Sequence, residues 1–215
     1  MEFLSQSISL FHKGGPVMYL LVACSLFVVA IAVERFLYYR TITANAASFR
    51  QKLQPLLEKQ RFSEAAQLCE QVSHALAVVA HAGLAALLRG SQVENALESA
   101  ATLTSARLRE YLDDLSVVVT LAPLLGLLGT VIGMINSFSV FNVQSGQPMA
   151  ITGGVGEALV ATASGLSVAT LALLIHAACS RHVNRIVTDI EQTAALIVNF
   201  ALIKKTGRRD SHEIA

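Results

Sequence analysis

Three stretches of this chain carry no charged residue at all: residues 17–33, 115–156 and 158–180. They constrain the fold more than any other feature. A helix needs roughly 20 apolar residues to cross a hydrocarbon core, and a charge stranded there is expensive. The first and third stretches fit one crossing each. The second is too long for one, but its later part, Asn142-Val143-Gln144-Ser145-Gly146-Gln147-Pro148, is polar and turn-rich. It therefore reads as one long span followed by a short loop. Composition agrees, with 53% apolar and 14% charged residues against about a quarter charged in soluble domains. Leu21-Val22-Ala23-Cys24 has the look of a lipoprotein cleavage box. The apolar run continues past it to Val33, however, and only Lys13 and a Gly-Gly-Pro break precede it. A cleavable leader has a basic start and an apolar core that ends at the cut, so the first span is expected to stay.

Basic residues orient these spans. Residues 1–16 carry Lys13 alone and residues 142–153 carry none, whereas nine Lys or Arg lie from Arg35 to Arg109 and six from Arg181 to Arg209. Positive segments stay on the cytoplasmic side. The expected layout is an all-α integral membrane protein with an outside N-terminus over residues 1–16 and a first span over 17–39. A cytoplasmic helical domain follows over 40–114, then a second span over 115–141 and an outside loop over 142–153. The third span covers 154–180, and a cytoplasmic helical extension and tail cover 181–215.

In the cytoplasmic segment Phe62, Ala65, Ala66, Cys69 and Val72 recur at helical spacing between polar residues, the pattern of an amphipathic helix. Two more helices are expected over 73–88 and 92–114, broken near Arg89-Gly90-Ser91. Ser91 followed by Glu94 has the spacing of a capping box. No Gly or Pro interrupts the chain from Gln92 until Pro123, so this helix is expected to run straight into the second span. The third span should likewise continue as a helix to Ala201, with a disordered tail from Lys204.

Composition and motifs exclude several function classes. A net charge of +1 without a basic, aromatic-interleaved cluster gives no footprint for nucleic acid. Cys24, Cys69 and Cys179 form no disulfide framework. There is no phosphate loop, metal-ligand cluster or triad, and Ala163-Ser164-Gly165 lacks the strand–turn–helix context of a nucleophile elbow. Neither an enzyme nor a cofactor is expected.

The candidate functional residues lie in the spans. Glu157 is the one ionisable residue between two uncharged stretches, and it marks either a functional site or a favourable charge in the first turn of a helix. Thr130 and Thr162 lie well inside spans two and three. Such hydroxyls commonly bond the carbonyl one turn back, but Thr130 and Ser137 share a face and the third span holds Thr162, Ser164, Ser167 and Thr170. Together they suggest a polar-lined cavity. Glu157 and Thr162 are about 140° apart around a helix and cannot both face one narrow axis. Gly129 and Gly133 have small-xxx-small spacing, and Gly165 with its neighbouring alanines offers a second close-approach surface.

Ala122-Pro123-Leu124-Leu125-Gly126-Leu127-Leu128-Gly129-Thr130-Val131-Ile132-Gly133-Met134-Ile135 and Gly156-Glu157-Ala158-Leu159-Val160-Ala161-Thr162-Ala163-Ser164-Gly165-Leu166 resemble the second- and third-span signatures of the MotA/TolQ/ExbB proton-channel family. Leu171 stands where similar proteins often have proline. The resemblance is closest to ExbB-like chains, with TolQ-like chains as a variant. MotA-like chains, with four spans, fit less well. The resemblance implies a pentameric ring in a bacterial inner membrane whose second and third spans line a pore. It also implies an ExbD-like single-span partner with an intramembrane aspartate and a TonB-like protein energised for outer-membrane transport. Thr130, Thr162 and Ser137 would then line the proton pathway, with Glu157, Gly129, Gly133 and Gly165 at subunit or partner contacts. A TolQ-like role in envelope maintenance and a non-conducting membrane scaffold remain the alternatives.

Overall fold

The computed structural model describes residues 15–43, 46–72, 74–143 and 148–213. Every described element is helical: α1 (Val17–Thr43), α2 (Ala46–Glu58), α3 (Phe62–Glu70), α4 (Ala75–Arg89), α5 (Val93–Arg109), α6 (Leu112–Val143) and α7 (Pro148–Glu213). Three helical stretches, Val17–Ile42, Val93–Ser139 and Gly153–Leu202, are long and apolar enough to cross a membrane. The expected outside N-terminus, apart from Gly15 and Pro16, lies outside the described residues. So do Ser73, the expected start of the helix before Gly90, and residues 144–147 of the expected loop.

The chain divides into two compact units, one of Met1–Glu34 with Tyr111–Ala178 and one of Arg35–Glu110 with Cys179–Ala215. In the first, α1 buries Val17, Met18, Leu21, Val28 and Ile31 against Leu115, Val118 and Ala122 of α6 and Ala169 and Ala172 of α7. Its outer surface is apolar too: Leu26, Leu124, Leu159 and Leu174 are each more than 60% exposed. Such a surface suits lipid rather than water.

The second unit is an amphipathic bundle. α2 buries Phe49, Leu53 and Leu57, and α3 buries Phe62, Ala65, Ala66 and Cys69. Along α7, Val183, Ile186, Ile190, Thr193 and Ile197 form a buried stripe at three- and four-residue spacing. Arg50 of α2 reaches Asp189 of α7 at 2.6 Å and Gln192 at 3.1 Å. Cys69 is enclosed tightly enough that burial, and secondarily the charge of Glu70, pushes its thiol pKa up to about 12. The three cysteines are free.

Helix ends show where local chemistry decided the boundaries. α4 begins at His74, whose Nδ1 accepts a hydrogen bond from the Ala77 amide at 3.3 Å, a side-chain N-cap. It ends at Gly90, left-handed at φ +72°. There the Ser91 amide bonds the Ala86 carbonyl at 3.0 Å and the Gly90 amide bonds Leu87 at 3.3 Å, the Schellman arrangement. Ser91 is thus the last residue of the α4 stop rather than the cap of α5: its hydroxyl also donates to Ala86. Gln92 takes the cap position of α5 without a side-chain bond.

Three expectations about helix length are corrected. The helix from Gln92 does not run into the second span: it stops at Arg109, and Tyr111 adopts φ +65°. The cause is tertiary. From α1, the Arg35 guanidinium donates to the Arg107 carbonyl at 3.4 Å and lies 3.9 Å from the Glu110 carboxylate. Tyr39 donates to the Leu108 carbonyl at 3.0 Å. The last carbonyls of α5 therefore find partners on α1 and need no further turn of helix. Second, the stretch expected as a loop over 142–153 is helical in its described parts, as α6 reaches Val143 and α7 starts at Pro148. Proline suits a first helical turn, where an amide would lack a partner. Third, the tail expected to be disordered from Lys204 continues α7 to Glu213.

Candidate functional site

The predicted site residues sit on α6 and α7 of the apolar unit, and glycine sets how closely those helices meet. A Cβ on Gly126 would lie 3.2 Å from the Ala161 carbonyl oxygen and 3.3 Å from the Cα of Gly165. A Cβ on Gly165 would lie 2.6 Å from the Ala122 carbonyl oxygen and 2.9 Å from the Cα of Gly126. Here two backbones touch with no side chain between them. Gly129 fits against the Ala161 methyl and lies near Val17 of α1, and Gly133 packs on Gly154 and Ala158. Gly129, Gly133 and Gly165, read above as contact residues, all lie at packing points within the chain.

This close approach positions Thr162. Its hydroxyl donates across the helix pair to the Gly126 carbonyl at 3.2 Å. That carbonyl also closes the helical turn ending at Thr130, since an amide bonds the carbonyl four residues back. Thr130 is half-buried on the same turn, and its hydroxyl donates to Leu127 at 2.6 Å. The two threonines thus share one level of the α6–α7 pair. Each hydroxyl proton is committed to a backbone carbonyl, leaving oxygen lone pairs that can accept a hydrogen bond.

Ser137 has a different setting. It is buried, donates to the Gly133 carbonyl at 2.8 Å and fills the space beside Gly154. That placement makes it part of the α6–α7 packing, not of an open face. Ser167 and Thr170 are exposed and bond carbonyls one turn back on their own helix, so the hydroxyl density of the third span does not form one cluster.

Glu157 is half-buried, and its carboxylate packs against Gly15, which holds φ +69° just before α1. Thr162 faces α6 while Glu157 faces the start of α1, as their angular separation requires. Among the described residues no group of His, Cys, Asp and Glu is arranged to hold a metal ion. The Gly126 acceptor and the Gly15 contact were not legible as functional partners. The first requires knowing the helix register, and the second joins positions distant in sequence.

A family model described as the MotA/TolQ/ExbB proton channel family matches residues 70–192, which include both threonines, Glu157 and the packing glycines. The chain belongs to this family. An ExbB-like 1 biopolymer transport protein of Synechocystis is 35% identical over 77% of this chain and 67% of its own length. Biopolymer transport protein exbB1 of Vibrio cholerae is 30% identical over 90% of this chain and 86% of its own. An ExbB homolog of Methanothermobacter thermautotrophicus is 26% identical over 88% and 68%. Family membership and three apolar helices together make this a multi-pass membrane protein of the ExbB type, in a family of channels rather than enzymes.

Proposed function

We propose that this chain is the pore-forming subunit of a proton-motive-force-driven motor of the ExbB type. In this reading several copies form a ring in a bacterial inner membrane, with the N-terminus periplasmic and the C-terminus cytoplasmic. The ring holds an ExbD-like single-span partner and energises a TonB-like protein for outer-membrane transport. The observation that carries the reading is the pairing of Thr130 and Thr162 at one level of α6 and α7, with no acid of the chain's own within residues 115–156.

A proton relay needs a group that charges and discharges inside the membrane, so here the acid comes from the partner. With their protons committed to Leu127 and Gly126, the two hydroxyls act as acceptors. They favour the protonated form of an approaching carboxyl, since only that form has a proton to donate. In this reading Glu157 anchors α7 beside α1 and contributes to ring or partner contacts rather than to conduction. Gly129, Gly133 and Gly165 hold the helices close enough for Thr162 to reach Gly126.

The test is Thr162→Val, assayed for proton-dependent activity in cells while the complex is followed by native mass spectrometry. The expected outcome is an intact complex with activity lost, restored by Thr162→Ser. Full activity in Thr162→Val would favour the scaffold reading. The copurifying partner and the phenotype, import or envelope maintenance, separate the ExbB-like from the TolQ-like role.

A further inference from the structure

The second unit carries an open groove that none of the foregoing uses. α5 and the later part of α7 lie antiparallel, and two cavities of about 670 and 600 Å³ run between them, sharing Glu94 and Val198. The lining positions recur every three or four residues from Glu94 to Arg109 and from Val187 to Leu202. The groove therefore follows both helices for roughly 22 Å at 1.5 Å per residue.

Its floor is apolar: Leu97 and Ile190 are buried at its base, with Ala101, Ala194 and Val198 half-buried beside them. Its rim is acidic. Glu94, Glu98 and Glu191 are exposed along it, and among the described lining residues Arg109, at one end, is the one basic side chain. None of the three glutamates makes an ion pair with a described residue, whereas nearby Asp189 is neutralised by Arg50. An apolar trough flanked by carboxylates without a described cation is the complement of a helix with an apolar ridge and basic flanks. Two copies meeting groove to groove would instead oppose like charges.

We propose that this groove docks a basic amphipathic helix of a partner protein, the Lys/Arg-rich cytoplasmic segment adjoining the span of a single-span membrane partner. The identity of that partner rests on the motor reading above. Flanks on the cytoplasmic side of a span are basic by the positive-inside rule, and the groove begins at Arg109, three residues before α6.

The probe is a fluorescein-labelled synthetic helix of about 16 residues, the length of the groove, with Leu and Ala on one face and Lys on the flanks. A control peptide has Glu for each Lys. Binding is read by anisotropy to the full chain in phosphatidylcholine nanodiscs. The Lys peptide is expected to bind saturably and the Glu peptide not at all. Affinity should fall about tenfold on raising salt from about 0.05 to 0.5 M, and about tenfold in the E94Q/E98Q/E191Q variant at unchanged melting temperature. Equal binding to empty nanodiscs or to that variant overturns the proposal. So does efficient disulfide cross-linking between copies carrying Ala101→Cys and Ala194→Cys, which would put a second copy in the groove. If the peptide fails while the Thr162 variants behave as expected, the docking site falls and the motor reading stands. If the peptide binds while Thr162→Val keeps full activity, the groove stands and the motor reading falls.

Discussion

The two units of this chain are held together in opposite ways. In the apolar unit the closest contacts are made by residues that lack side chains: Gly126 against Gly165, Gly129 against Ala161, Gly133 against Gly154. In the other unit the contacts are made by large side chains, with Leu53, Leu57, Leu76 and Leu84 at 0–1% exposure, and by capped helix ends at His74, Gly90 and Arg109. The difference follows from the solvent. In water, burying a leucine gains about 1.5–3 kcal/mol because its surface leaves water. In lipid that gain vanishes, since the alternative to a neighbouring helix is an equally apolar tail, and helices associate by close packing and interhelical hydrogen bonds. The Thr162–Gly126 bond is such a bond, possible because glycine lets the backbones meet.

That comparison can be broken at its strongest point first. Leu84→Ala is expected to destabilise the second unit by about 2–5 kcal/mol, measured by denaturant unfolding in detergent. A loss below about 1 kcal/mol would remove the case for a side-chain-driven core. Gly165→Ala comes next, at about 1–3 kcal/mol, because the new methyl would meet backbone atoms that cannot rotate away. Gly156→Ala, whose methyl would meet nothing within 4 Å, is the matched control and should be neutral or slightly stabilising. If the two alanines behave alike in thermal-shift assays, close packing is not what holds the apolar unit.

Smaller effects sharpen the contrast in the second unit. Tyr39→Phe deprives the Leu108 carbonyl of its hydroxyl donor and should cost about 1 kcal/mol. It should also speed amide exchange near Glu110. The weakest expected effect is a pH dependence from His74. Burial lowers its pKa below the ordinary 6.5, because a charged ring would be desolvated and protonating Nδ1 would break the Ala77 cap. A depressed folded pKa gives stability that is complete above about pH 6.5 and is lost as pH falls through the folded value. The melting temperature should decline on acidification below pH 6.5, and His74→Asn, which keeps a capping oxygen, should flatten that slope. An unchanged slope would show that His74 carries no part of it.

Much of the second unit was legible because its helices follow local rules. The buried residues of α3 match the apolar stripe read between Phe62 and Cys69, and Gly90 ends α4 where the Arg89-Gly90-Ser91 break was expected. Other features were not legible. Gln60 takes φ +54° between α2 and α3 without the glycine or asparagine that usually announces such a turn. In the candidate site, Thr130, Thr162 and Glu157 stood out as polar groups amid apolar runs, but their directions did not. Ser137 shares a helical face with Thr130 yet is buried against Gly154, because the partner helix decides which part of that face stays open.

By itself the sequence determined that this is an all-helical chain with three apolar helices, since an uncharged run of that length has few other stable fates. It also determined which family the chain belongs to, because the signatures of α6 and α7 are contiguous in sequence. Only the tertiary structure decided that α5 and α6 are separate helices and that Thr162 bonds Gly126. Both depend on groups far apart in the chain. Arg35 and Tyr39 satisfy carbonyls roughly seventy residues away, and the Thr162 hydroxyl reaches one thirty-six residues back. Local propensity cannot encode a hydrogen bond whose partner is brought near only when the helices pack.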